Sequence, residues 1–214
     1  MVVSLKFKEI AWDFDGTLYN SYPHIVRCLR LAMEQFGYTD SEENIAKWAH
    51  ITVTHAMSHY APFCGCSAKN LNYWYRKFVG ETSPLCTPYP GICELLREIV
   101  AAGGRNHLCS NRDAQKCRDY FERDGILDCF TVFSGIGPGI NSKPAPDLVQ
   151  AVLTDGNIAP ESLLMVGDRN LDVQAAHAAG SKGCFFDLDG YSTPTSDPEY
   201  TAFSVEELRK ILFD

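Results

Sequence analysis

The stretch KEIAWDFDGTLYNS, residues 8–21, decides the fold. An apolar run ends on Asp13 and Asp15, one residue apart, with Gly16 immediately after. In strand geometry residues two apart face the same side, so both carboxylates are expected to point into one small volume. Like charges that close repel, and a fold keeps them there only where a cation or strong donors offset the cost. A second copy of the pattern, DLDG from Asp187 to Gly190, means that the tetrapeptide alone does not identify a site.

The rest of the chain is ordinary globular sequence. Of its 214 residues 45% are apolar and 21% charged, which excludes a disordered polyelectrolyte. No apolar run is long enough to span a membrane, and the N-terminus lacks a signal-peptide pattern, so a cytoplasmic location is expected. The nine cysteines, an odd number without regular spacing, read as mostly buried reduced thiols. A net charge of −8 argues against nucleic acid as the main partner. It does not exclude an anionic substrate, because a metal ion and a few placed cations reverse the sign locally.

A strand over Phe7 to Trp12 delivers the two aspartates to its carboxyl end. From Pro23 to Gly37 apolar residues recur at helical spacing (Ile25, Val26, Leu29, Ala32, Met33, Phe36), and helical texture continues to about Leu85. Beyond it strands and helices alternate. Strands are expected around Asn106–Cys109, Cys129–Phe133, the run SLLMVGD and a last one in GCFFDLDG, with YSTPTSDPEY as a surface loop and SVEELRKILF as a closing helix. Alternation of this kind implies a parallel sheet in a three-layer, Rossmann-like α/β core. The expected organisation is a core of residues 1–18 and 86–214, with residues 19–85 inserted as an α-helical cap.

In open parallel sheets ligands bind beyond the carboxyl ends of the strands. Four such ends carry polar residues here: Asp13 and Asp15; Ser110 and Asn111; Lys143 in the following loop; and Asp168. Asp172 follows Asp168 at i and i+4, close enough to share a metal ion or its bound waters. Three or four carboxylates, a lysine and a hydroxyl have the makeup of a magnesium-assisted phosphoryl-transfer site.

In their order and spacing DFDGT, CSNRD, SKPAPD and GDRNLDVQAAHAAG resemble the four motifs of the haloacid dehalogenase superfamily. The helical insertion straight after the first motif is similar to the subgroup with a small helical cap, which includes phosphoglycolate phosphatases and β-phosphoglucomutases. The resemblance implies that Asp13 is a nucleophile forming an aspartyl-phosphate and that Asp15 is the general acid and base. It implies Mg2+ between the Asp13 carboxylate, the main-chain carbonyl of Asp15 and Asp168, with Asp172 direct or through water. Ser110, Asn111 and Lys143 would then bind the phosphoryl oxygens, with backbone N–H groups around Phe14 and Asn111. Relatives that cleave carbon–halogen bonds lack the second aspartate, and phosphonate-cleaving ones carry alanine there. Asp15 therefore implies phosphate-ester chemistry.

The second copy differs: Tyr191 stands where the first has Thr17, no further motif follows, and Asp187 reads as a loop or capping residue. Other positions depart from the family. Arg169 replaces a small residue common after Asp168 and reads as a paired cation or a reach toward a substrate anion. Asn20 replaces an aspartate common in the subgroup, which weakens transfer of any hinge role. Candidate specificity residues are Arg112, beside the Ser110 motif, and Lys47, His50, Thr52, Thr54 and His55 in the insertion. His55, His59, Cys64 and Cys66 have zinc-ligand chemistry, but Cys-x-Cys spacing departs from structural zinc sites, so packing is the expected role. The expected activity is a Mg2+-dependent phosphatase acting on a small phosphorylated metabolite, as a monomer or homodimer. A phosphosugar mutase and a non-catalytic phosphate-sensing protein are the alternatives.

Overall fold

The computed structural model describes residues 4–81 and 86–213. The chain divides into two compact units, one of Met1–Tyr19 with Pro88–Asp214 and one of Asn20–Thr87. The expected end of the insertion, residue 85, lies outside the described residues.

The first unit is built on a sheet of six parallel strands: β1 (Glu9–Trp12), β4 (Arg105–Ser110), β5 (Phe130–Gly135), β6 (Leu163–Gly167), β7 (Lys182–Phe186) and β8 (Tyr200–Ala202). Their order is β5-β4-β1-β6-β7-β8. The short segments β2 (Tyr19–Asn20) and β3 (Thr87–Pro88) pair as a separate two-stranded sheet. Central parallel strands are covered on both faces, so they read as nearly continuous apolar runs. All five residues of β6 are buried, as are the last three of β1 and the last four of β7.

Successive side chains along β4 separate the two faces. Asn106 points to the face carrying α5 (Ile92–Ala101), where its amide donates to Leu96 O at 3.2 Å. On the same face it accepts from Trp12 Nε1 at 2.9 Å. Cys109 points to the opposite face and packs with Ala11, Val132 and Met165 against α7 (Asp147–Gly156) and α8 (Asn170–Ala178). α9 (Val205–Leu212) packs against α5 and β8. α6 (Ala114–Arg123) starts at Asp113, whose carboxylate accepts from the backbone N–H groups of Gln115 and Lys116.

One strand departs from the sequence expectation. The last strand is Tyr200–Ala202, which starts on the final residue of the loop expected at YSTPTSDPEY, whereas GCFFDLDG supplies only the penultimate one. β8 has three residues and buries only Ala202, so it carries no apolar run to read.

The second unit holds four helices, α1 (Tyr22–Glu34), α2 (Glu42–Ile51), α3 (Val53–Tyr60) and α4 (Ala68–Glu81). They close over their own core of Ile25, Leu29, Met33, Ile45, Met57, Tyr60 and Leu71. Thr52 ends α2 and starts α3, its hydroxyl accepting from His55 N at 2.9 Å. All nine cysteines are thiols outside any disulfide; seven are buried, and the two half-buried ones, Cys66 and Cys93, fall one in each unit. Among the described residues no helix is long and apolar enough to cross a membrane.

Candidate active site

From β1 the chain winds out to β4 and β5, then returns across the sheet to β6 on the other side of β1. In open α/β sheets such a reversal marks the strand ends where ligands bind, here the carboxyl end of β1. Asp13 follows β1 there, Ser110 closes β4 and Asp168 follows β6, so three adjacent strands bring them to one edge. Asp13 N donates to Val166 O at 2.9 Å, which ties the aspartate to β6.

Asp13 and Lys143 are both almost fully buried, at 1% and 2% exposure. Lys143 Nζ lies 3.0 Å from Asp13 Oδ1 and 2.6 Å from Asp172 Oδ1, and donates to Cys109 O at 2.8 Å. Arg169 NH2 reaches Asp13 Oδ2 at 3.1 Å, and its Nε lies 3.6 Å from Asp168 Oδ1. Burial disfavours charge on Asp13, but Lys143 and Arg169 outweigh it and hold the carboxyl below its ordinary value of 3.8. Asp172 moves the other way. Burial, reinforced by the Asp13 charge, outweighs Lys143 and Arg169 and pushes its carboxyl above 3.8. Burial also works against the Lys143 ammonium, yet Asp13 and Asp172 keep it protonated and raise it above the usual lysine value.

Asp13, Asp168 and Asp172 place one carboxylate oxygen each within 4.8 Å of one another, the one such three-residue group among the described residues. Asp13 Oδ1 and Asp172 Oδ1 are buried without an aligned hydrogen-bond donor, in ionic contact with Lys143. Hard oxygen donors with spare lone pairs suit Mg2+, which keeps several waters beside one or two carboxylates. The three residues fit that ion. A tight approach shapes the group: a Cβ on Gly167 would run into the Asp172 carboxyl, so only glycine fits there. Asp172 also accepts from Arg169 N at 3.1 Å, holding the start of α8.

Asp15 does not join the acidic group. The strand stops at Trp12, so two-residue alternation does not carry through to position 15. Its carboxylate instead takes Arg112 on both oxygens, NH2 at 2.6 Å and Nε at 3.1 Å. The side chain of Asn111 binds the Lys143 backbone in both directions, accepting from Lys143 N at 2.8 Å and donating to Lys143 O at 3.3 Å. Ser110 is buried and its hydroxyl accepts from Arg112 N at 3.2 Å. Thr17 donates to Asp168 Oδ1 at 3.4 Å, a contact with no forewarning in the sequence beyond the residue's place in DFDGT.

His50 is buried and stacked on Tyr22 with ring centroids 3.4 Å apart, while Lys47 and Thr54 are exposed. His55 and His59 both lie against Trp48, at 5.4 and 3.8 Å. Burial, with Cys66 adding to it, pushes the Cys64 thiol up to about 11.

The family model for haloacid dehalogenase-like hydrolases matches residues 10–190. The chain belongs to that family. This hydrolase is 27% identical over 218 residues to a phosphoglycolate phosphatase of Vibrio parahaemolyticus, covering 96% of each chain. A phosphoglycolate phosphatase of Synechococcus elongatus is 26% identical over 177 residues, covering 81% of this chain and 80% of that one. Among solved structures, a predicted phosphoglycolate phosphatase of Haemophilus somnus superposes with a TM-score of 0.82 at 24% identity, over 96% of this chain and 97% of the other. A variant of CbbY from Rhodobacter sphaeroides, solved with xylulose-(1,5)-bisphosphate, gives 0.74 at 18% identity, over 94% and 96%.

Proposed function

We propose that this hydrolase is a magnesium-dependent phosphatase that removes phosphate from a small phosphorylated metabolite through an aspartyl-phosphate on Asp13. The observation that carries the reading is the Asp13 carboxylate: buried, held ionised by Lys143 and Arg169, and grouped with Asp168 and Asp172. A carboxylate kept charged in a dry site is a nucleophile with little hydration to shed.

In the first step an Asp13 oxygen attacks phosphorus in line, the bond to the leaving oxygen breaks, and Asp15 gives that oxygen a proton. In the second, water attacks the phosphorus of the aspartyl-phosphate while Asp15 takes one of its protons. The acyl-phosphate bond breaks, inorganic phosphate leaves and the Asp13 carboxylate returns. Lys143 offsets charge on the phosphoryl oxygens in both steps, and the Ser110 hydroxyl with the N–H groups around Phe14 and Asn111 completes their cradle. Asp13, Asp168 and Asp172, with the Asp15 carbonyl, would hold Mg2+, which supplies charge neutralisation at the phosphoryl group. The names of the relatives put phosphoglycolate first among candidate substrates.

The test is a panel of metabolite phosphates assayed for phosphate release with Mg2+ and with chelator, alongside beryllium trifluoride trapping. Release that needs Mg2+, is lost in Asp13→Asn, and is matched by an adduct on Asp13 supports the reading. Release that survives Asp13→Asn overturns it, as does sugar-phosphate conversion with no net release.

A further inference from the structure

We propose that Arg112 is a positioning residue that aims the Asp15 carboxyl for proton transfer, which rests on the acid–base role given to Asp15 above. A residue on a turn past the end of a strand is free to rotate about its side-chain bonds. A proton-transfer group must nevertheless lie within hydrogen-bond reach of the reacting oxygen, and a misplacement of 1 Å costs on the order of 100-fold. Something must therefore hold Asp15.

Arg112 does so from a fixed base. Its backbone N donates to Ser110 Oγ at 3.2 Å, and its carbonyl accepts from Ile136 N at 3.1 Å. A Cβ on Gly135 would fall 2.6 Å from the Arg112 carbonyl oxygen, so the last residue of β5 must be glycine for the two loops to approach. The guanidinium lies 5.1 Å from the centroid of the Phe14 ring, which is itself buried and stacked on Tyr19 at 4.3 Å. From that seat the guanidinium meets both Asp15 oxygens, at 2.6 and 3.1 Å. A two-pronged contact fixes the plane of a carboxylate as well as its place, which a lysine's single ammonium cannot do.

The pair is about one-fifth exposed on each side, at 22% and 20%. A part-buried, two-pronged pair contributes to stability as well as to position, so the positioning role is read from the difference between substrates and not from activity alone.

The discriminating experiment uses two esters with different needs for a proton. An alkyl phosphate leaves as an alkoxide and needs one; p-nitrophenyl phosphate leaves as a stable anion and does not. For a two-step covalent mechanism kcat/KM reports the leaving-group step. In the full-length enzyme, Arg112→Met is expected to lower kcat/KM about 10- to 100-fold for the alkyl ester and less than about 3-fold for the aryl ester. Arg112→Lys, which keeps the charge and loses the fork, is expected to keep most of that difference. Both variants are expected to melt in one cooperative transition, a few degrees below wild type at most, so that a folded enzyme is assayed on both esters. Equal losses on the two esters, recovery in Arg112→Lys, or a rise in KM alone overturns the proposal. Asp15→Asn measured in parallel separates the two claims. If it shows no difference between esters, the acid–base role of Asp15 fails; if it shows one and Arg112→Met does not, only the role of Arg112 fails.

Discussion

Two turns of nearly identical sequence, DFDG after β1 and DLDG after β7, end neighbouring regions of one sheet, and they use their aspartates in opposite ways. Gly16 and Gly190 both take the left-handed backbone, at φ +76° and +72°, and Asp13 and Asp187 are both buried. Asp187 turns its carboxylate back on its own loop. Oδ1 accepts from Asp189 N at 3.0 Å and Gly190 N at 2.9 Å, and Oδ2 accepts from Ser192 N at 2.8 Å. Asp13 keeps the Phe14 backbone N–H and spends the rest of its carboxylate on Lys143 and Arg169, beside the two acids of the last motif. The second aspartates differ as well, Asp15 gripped by Arg112 and Asp189 accepting from the Tyr89 hydroxyl at 2.7 Å. The tetrapeptide makes a turn; the strands on either side decide whether it makes a site. β1 lies between β4, which ends in Ser110, and β6, which Asp168 follows directly, whereas β7 has β8 on its outer side, ending at Ala202.

Substitutions at matched positions test that contrast. Asp13→Asn is expected to lower kcat by at least about 10³-fold, whereas Asp187→Asn leaves it within about twofold. Comparable losses in steady-state assays would mean that both turns serve the reaction. Lys143→Met comes next. It leaves Asp13 and Asp172 buried without their shared cation, a change expected to cost about 3–5 kcal/mol in urea unfolding as well as activity. A loss below 1 kcal/mol would show that the cluster does not depend on that lysine.

The stability cost in the other turn is smaller. In Asp187→Asn the amide oxygen can still serve Asp189 and Gly190, but the amide NH2 faces the Ser192 N–H and loses that bond. About 1–2 kcal/mol is expected from the same unfolding measurement. The smallest effect concerns pH. Burial first, and the Asp187 charge with it, raise the Asp189 carboxyl above 3.8 despite the Tyr89 donor. The folded state then holds that proton more tightly than the unfolded chain. The contribution of Asp189 to stability is fully present below about pH 3.8 and is lost as pH rises through the folded value. Asp189→Asn removes this loss, so the variant should gain on wild type between pH 4 and pH 7. A difference that stays constant across that range would contradict the raised carboxyl.

How much was legible in advance follows from the same contrast. Strand ends could be read because a buried parallel strand is an apolar run, and a polar residue directly after it stands out, as at Asp13, Ser110 and Asp168. Pairings between such ends could not. Arg112 and Asp15 are 97 residues apart, and Asn111 and Lys143 are 32 apart. They meet only because β4 lies between β1 and β5, an order that local patterning does not encode. The acidic group takes in Asp13 without Asp15, because the alternation rule ends where the strand does. β8 was missed because three residues with one buried side chain leave no periodicity to detect.

The arrangement of the thiols has a practical consequence. Cys66 and Cys93 are the sulfurs that a maleimide meets first, because the other seven cysteines are buried, and each belongs to a different compact unit. The native protein thus carries its own reactive thiol in each unit. The rate at which each thiol is alkylated then reports on the unit that carries it, with no engineered residue.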